Sequence, residues 1–229
     1  MSLSILYEDN HLIAINKRNG ELVQGDKTGD EALNERVKAY LKEKYQKPGN
    51  VFCGVIHRID RPVSGIVLFA KTSKALSRMN QMVKERNIVK TYWAIVQNQP
   101  PQTDGTLIHY LRKIEAKNYS ETALHEKKGF LRAELDYRVL AHSDHYNLLE
   151  IKLKTGRHHQ IRAQLSAIGC PIKGDLKYGA PRSNPDGSIS LHVKELIFQH
   201  PVSKQELHLS APLPEETLWH FFQQKINTL

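Results

Sequence analysis

Val51-Phe-Cys-Gly-Val-Ile-His-Arg-Ile-Asp-Arg-Pro-Val-Ser-Gly-Ile-Val-Leu-Phe-Ala70 sets two apolar runs, Val51–Ile56 and Ile66–Ala70, around the loop His57–Gly65. Both runs have the length and composition of β-strands. The loop places Asp60 between Arg58 and Arg61. Pro62 restricts Arg61 to extended backbone, and Gly65 allows a tight re-entry into the second strand. Such a loop fixes a side chain in place. Its guanidinium neighbours favour the ionised carboxylate. Asp60 is then either half of a surface ion pair or a reactive carboxylate held ionised beside a polyanion.

Working outward, Ile5–Tyr7 and Leu12–Ile15 read as strands around the turn Glu8–His11. Asp30–Tyr45 has helical period, with Leu33, Val37, Tyr40, Leu41 and Lys44 on one stripe, Asp30 as N-cap and Pro48-Gly49 as the stop. Thr72 caps a helix from Ser73 to about Arg86, with Ala75, Leu76, Met79, Met82 and Val83 inward. Ile88–Gln97 is strand-like. The signals from Gly105 to Glu126 are weak and read as a hairpin excursion. Leu131–Ala141 and Tyr146–Leu153 form an antiparallel pair. A short helix spans His158–Ile168, and Ile172–Ser188 is a Gly/Pro-rich loop. Ser190–Phe198 and Glu206–Ser210 close the sheet, and Pro214–Gln224 is a terminal helix with Pro214 in its first turn. Strands and helices mix without βα alternation, so the fold class is α+β with a largely antiparallel sheet. With no repeat or linker, one domain of 229 residues is expected.

Lys+Arg number 33 against Asp+Glu 24, a formal net charge of +9. That excess points to an anionic partner, nucleic acid first; the plainer alternative is a basic, solvated surface. Cys53 and Cys170 match no paired spacing, so reduced thiols in a cytoplasmic protein are expected. Met1–Asp9 lacks the pattern of a signal peptide, and no run approaches ~20 apolar residues, so no membrane association is expected. Dinucleotide, P-loop, nucleophile-elbow and zinc-deaminase signatures are all missing, and the twelve histidines form no metal-ligand spacing.

Two further groups join the Asp60 loop as candidates. In Thr155-Gly-Arg-His-His-Gln-Ile-Arg162 a strand ends and a helix begins with basic and amide side chains, so backbone N–H groups, the helix dipole and Arg157 would make an anion site. Arg162, beside the apolar Ile161, is partly buried and needs a carboxylate or phosphate partner; Asp60 is one candidate. In Lys90-Thr-Tyr-Trp-Ala-Ile-Val96, Tyr92, Ala94 and Val96 share one strand face and Trp93 and Ile95 the other. One aromatic is core and the other can stack on a base; the alternation does not choose between them.

His57-Arg-Ile-Asp-Arg-Pro-Val-Ser-Gly65 resembles the HRLD-x-x-[TV]-S-G motif of the RluA-type pseudouridine synthases. Ile5–Lys17 resembles the family's opening strands, Lys90–Val96 its K-x-Y-x-A-x-V strand, and Gly156–Arg162 its GR-[TS]-HQ-[IL]-R helix. Gly174-Asp175, Tyr178-Gly179, Leu191-His192 and His200-Pro201 follow in family order. The resemblance implies the pseudouridine synthase catalytic fold, a mixed, mostly antiparallel sheet with flanking helices and a central active-site cleft. It implies an isomerase acting on ribosomal or transfer RNA, with no cofactor and no metal. Asp60 would be the catalytic aspartate, Tyr92 the tyrosine at the target ring, and Arg162 the partner that keeps Asp60 ionised. Arg58 would help displace the flipped base. Arg61, Arg157, His158, Gln160 and Lys71 would complete the RNA contacts. His158 and Val193 depart from the residues usual in the family. The chain opens at the catalytic strands, like the short subgroup without an N-terminal S4 domain, so RNA affinity would come from its own basic surface and from loops such as Ile114–Lys128. A monomer is expected.

Two rival readings make different demands. A non-catalytic RNA-binding or chaperone relative has no use for an acid in an anion site, where like charges repel. A metal-dependent nuclease needs several clustered carboxylates, and this loop has one.

Overall fold

The computed structural model describes residues 3–25 and 29–228. The strands are β1 (Ile5–Glu8), β2 (Leu12–Lys17), β3 (Gly54–Val55), β4 (Ser64–Ala70), β5 (Ile88–Val96), β6 (Asp104–Ile114), β7 (Tyr119–Ala123), β8 (Leu131–His142), β9 (Asn147–Leu153), β10 (Leu191–Gln199) and β11 (Glu206–Ser210). The helices are α1 (Leu33–Lys44), α2 (Ser73–Lys84), α3 (Gln160–Ala167) and α4 (Thr217–Asn227). The chain divides into two compact units: Met1–Lys90 with Val193–Pro212, and Thr91–His192 with Leu213–Leu229.

In the first unit the strand order is β1-β2-β4-β10, with β11 on β10 and β3 on β4. The β1-β2, β2-β4, β3-β4 and β10-β11 pairs are antiparallel. β4 is buried at every position, which is why it reads as an unbroken apolar run. Leu33, Val37 and Leu41 of α1 pack on Ile13, Ile15, Val67 and Phe69. Each such side chain contributes roughly 1.5–3 kcal/mol by leaving water. In α2, Thr72 Oγ1 accepts the Ala75 amide at 3.1 Å, as its position before the apolar period predicts.

In the second unit the order is β5-β9-β8-β6-β7, with each neighbouring pair antiparallel. Trp219 and Phe222 of α4 pack with Ile95, Leu148 and Leu213. The expected α+β class with antiparallel pairing is what the chain forms.

Several boundaries differ for physical reasons. Asp30 does not cap α1: the N-cap is Ala32 with no side-chain bond, and Asp30 pairs with Arg61 at 2.7 Å. Of Val51–Ile56 only Gly54–Val55 is strand, because β3 meets β4 at Phe69 and Ala70 alone and β10 is the other neighbour on that side. The weak stretch after Gly105 holds the long strand β6, which pairs with β8 from Asp104 to Leu111. α4 begins at Thr217, leaving Pro214 outside its first turn.

Candidate active site

In the first unit the Asp60 loop is anchored on both sides of the carboxylate. Ile59 packs against the α1 core, and Val63 is buried. The Val63 amide donates to Asp60 O at 3.0 Å, closing a turn with Arg61 and Pro62 at its centre. Gly65 has φ +111°, and a Cβ there would lie 2.4 Å from the backbone N and O of Val193. Only glycine allows β4 to leave the loop this close to β10.

Beneath the loop lies Lys17, 1% exposed. Its Nζ donates to Arg18 O at 2.7 Å and to Arg61 O at 3.1 Å. Burial pushes its pKa down to about 7; the carboxylates of Glu21 and Asp60 oppose that shift, and Arg61 adds to it. The Gly20 amide also donates to Arg61 O, and Arg61 Nε donates back to Gly20 O at 3.0 Å. Arg61, expected to meet RNA, is thus committed to Gly20 and Asp30, although its side chain is half exposed. Arg58 is exposed.

Lys71 is a correction. Its ammonium is 5% exposed and pairs with Glu8 at 2.9 Å, donates to Asp9 O and lies 4.6 Å from the Tyr45 ring centroid. RNA cannot reach a cation so enclosed. Glu8 also accepts from Lys44, Tyr40 and Tyr45. Burial pushes the Glu8 carboxyl up, but these donors outweigh it and bring it down to about 2.

In the second unit, Trp93 is partly buried and packs against the Trp219 cluster, so both aromatics of β5 are drawn into the fold and the expected division into one core ring and one free ring does not hold. Tyr92 is 8% exposed and lies opposite Ile151 in the ladder. α3 starts two residues later than expected because His159 takes a left-handed conformation, φ +51°, as its N-cap. Gln160 is buried and engaged at both side-chain heteroatoms: Oε1 accepts from Thr155 Oγ1 at 2.7 Å and the Arg157 amide at 2.9 Å, and Nε2 donates to Glu134 O at 3.0 Å. Gln160, expected among the RNA contacts, is instead turned inward and closes its own loop. The expected anion cradle loses the Arg157 amide to Gln160 and the Gln160 amide to Arg157 O. Arg157 is half-buried, with Nε on Arg132 O.

Arg162 is buried, as its place beside Ile161 predicts. Asp175 takes its Nε at 2.7 Å and Nη2 at 2.8 Å in a bidentate pair, with the two side chains 6% and 1% exposed. The guanidinium lies 5.0 Å from the Tyr178 ring centroid. Tyr178 Oη accepts from the Ser120 amide at 2.8 Å and lies 2.9 Å from His159 Nδ1. Burial pushes the Tyr178 phenol up to about 12 and His159 down to about 2, the latter helped by Arg162. His158 stacks on His159 at 3.7 Å, with Nδ1 on Ser120 and Nε2 on Asn118. The structure thus joins Arg162, Asp175, Tyr178, His159 and His158 in one network. Lys17 and Asp175 were missed as site residues. Their signals were a cation two residues beyond the apolar run Leu12–Ile15 and an acid within the Gly174–Gly179 segment.

Among the described residues, no three His, Cys, Asp or Glu side chains converge as a metal site, and no helix is long and apolar enough to cross a membrane.

A buried, oriented arginine on a helix and an aspartate on an anchored basic loop now stand with the family comparison. The model of the RNA pseudouridylate synthase family matches residues 11–167, and the chain belongs to that family. Within it the chain is RluA-type, an isomerase that converts uridine to pseudouridine in RNA. It is 33% identical over 232 residues to the ribosomal large subunit pseudouridine synthase C of Buchnera aphidicola subsp. Acyrthosiphon pisum, covering 98% of this chain and 70% of that one. It is 30% identical over 233 residues to the tRNA pseudouridine synthase C of Vibrio parahaemolyticus, covering 94% and 92%. The solved structure of human RNA pseudouridylate synthase domain containing 4 superposes with a TM-score of 0.79 at 23% identity over 98% of this chain and 93% of that chain, so the fold is shared.

Proposed function

We propose that this chain isomerises specific uridines of ribosomal or transfer RNA, with Asp60 as the reactive carboxylate. The observation that carries this reading is the anchoring of the Asp60 loop. Ile59, Val63, Lys17 and Gly20 hold its backbone, so the acid is presented at a fixed place on a basic loop. A carboxylate among cations repels an RNA backbone less than an isolated one, and its ionised form is the one that can act as nucleophile or base.

Isomerisation breaks the N1–C1′ bond of uridine and forms a C5–C1′ bond; the proton on C5 leaves to water, and N1 takes up a proton in its place. The uracil must leave its stack for this to happen. Arg58, exposed beside Asp60, is suited to fill the space left by the base. Tyr92 packs against the uracil ring where the C5 proton departs. Arg162 stabilises the negative charge carried through the reaction, its guanidinium plane fixed by Asp175.

RNA carrying tritium at uridine C5 tests the reading. The wild-type chain is expected to release the label to water from ribosomal or transfer RNA transcripts. Tight binding of those RNAs with no release would overturn it in favour of a non-catalytic RNA-binding role.

A further inference from the structure

The second unit carries a cavity that neither Tyr92 nor Arg162 lines. Its volume is about 440 Å³, in the range of small-ligand pockets. Lys173 and Gly174 form one wall and the loop Ala180–Pro185 another, with Gln97 from the end of β5 and Tyr146 from the turn joining β8 and β9. Two cations line it, Lys173 and Arg182, and no carboxylate does among the described residues.

Its donors are not used up inside the fold. Arg182 is exposed and makes no ion pair or hydrogen bond among the described residues, and the same holds for the hydroxyls of Ser183 and Tyr146 and the side-chain amide of Gln97. Lys173 Nζ donates to Asn184 Oδ1 at 2.7 Å and to Glu216 at 2.9 Å, and an ammonium has a third hydrogen to give. An exposed arginine by itself is only a solvated side chain. A concave wall with two cations, unpartnered donors, an aromatic ring and no acid is complementary to a nucleotide: phosphate for the cations, a base for the ring.

The cavity is tied to the site by one short segment. Asn184, 4% exposed, is fixed by Lys173 and by Ser188 Oγ and Ser190 Oγ at 3.1 and 3.3 Å. The Lys173 amide donates to Ile95 O at 2.9 Å. Gly174 has φ +88°, and a Cβ there would lie 2.6 Å from Ser188 O and 2.8 Å from Asn184 Cγ. The next residue is Asp175, which holds Arg162. Tyr92 lies on the strand that ends beside the cavity, four residues before Val96, or about 13 Å at ~3.3 Å per residue.

We propose that this cavity holds a nucleotide flanking the target uridine on the same RNA strand, with Arg182 and Lys173 on its phosphate and Tyr146 against its base. A strand is favoured over a free nucleotide because the rim of Gln97, Arg182 and Ser183 is exposed, so a continuous chain can enter and leave. The contact fixes register rather than sequence. It rests on the RNA-synthase reading and adds to it a second grip on the strand.

The two native cysteines are buried, so a thiol introduced by Ser183→Cys is open to iodoacetamide while they are not. Gln224→Cys, exposed on α4 and outside the cavity, is the control. Alkylation is followed with fluorescein-labelled oligouridylate, with uridine monophosphate or with inorganic phosphate, and tritium release is measured in parallel. Oligouridylate at about ten times its Kd fills ~90% of sites, so alkylation at position 183 should slow about tenfold and at position 224 not at all. Arg182→Met should weaken oligouridylate binding roughly tenfold at low salt and lower the slope of log affinity on log salt by about 0.7; Arg182→Lys should restore the slope. Protection by uridine monophosphate or phosphate as strong as that by the oligomer would overturn the strand in favour of a free-nucleotide site. No protection at position 183 with RNA bound, equal protection at both positions, or an unchanged salt slope in Arg182→Met would overturn the cavity contact. If wild type still releases tritium, only that contact falls. A wild type that neither binds RNA nor releases tritium overturns both readings.

Discussion

At the scale of the residue, chemistry and support separate cleanly around Arg162. Its burial was legible from Ile161 beside it. Asp175, which holds it, was not, because the partner lies beyond a Gly/Pro-rich turn whose course the sequence pattern does not fix. Gln160 and Lys71 erred in the opposite direction. Both are polar and look like RNA donors on paper, and both are consumed inside the fold. Removing one partner of a buried pair strands the other charge, at about 3–5 kcal/mol. Asp175→Ala is therefore expected to lower unfolding free energy by roughly that amount in a denaturant titration, and Asp175→Ala with Arg162→Met by less than the sum of the single changes. Glu8 gives a pH signature. Its carboxyl is lowered in the folded chain to about 2 from 4.5, so its contribution is full above the unfolded value and is lost as pH falls through that window. Glu8→Gln should remove about 1–2 kcal/mol of stability at neutral pH and flatten the acid limb of the unfolding curve. Lys17 has the opposite slope. Its folded pKa, about 7, lies below the ordinary lysine value of 10.5, so the unfolded chain binds more protons between them and stability rises with pH across that range. Lys17→Met should abolish the rise.

At the scale of the element, strand β4 and helix α2 were readable because one chemical signal dominated each. β4 is a continuous buried apolar run, and α2 has a threonine cap before a clear period. β6 was not readable. Its residues alternate weakly and several are exposed, so partner strands β7 and β8 define it more than its own side chains do. The start of α3 was misplaced because the left-handed His159 breaks the helix two residues after the basic run begins. The glycine at the junction of loop and β4 offers a sharp test of element placement. Gly65→Ala puts a methyl carbon into the Val193 backbone, whereas Gly156→Ala meets nothing within 4 Å. Gly65→Ala is expected to cost on the order of 3 kcal/mol or more in thermal unfolding and to abolish turnover. Gly156→Ala should stay within about 0.5 kcal/mol of wild type. Similar behaviour of the two variants would show that the β4 exit is not constrained as described.

At the scale of the whole molecule, the net charge of +9 suits an anionic partner and the family match makes that partner RNA, and the motifs in their order made that class legible. Charge alone could not separate a binder from an enzyme, since both profit from cations. The distinction rests on one acid that binding does not require. The most direct measurement is therefore tritium release from C5-labelled RNA by Asp60→Asn and Asp60→Ala, alongside RNA affinity for each. Both variants are expected to bind RNA within a few-fold of wild type and to release no label, a loss of at least about 10⁴ in rate. Release of tritium by Asp60→Ala at a rate near wild type would contradict the account.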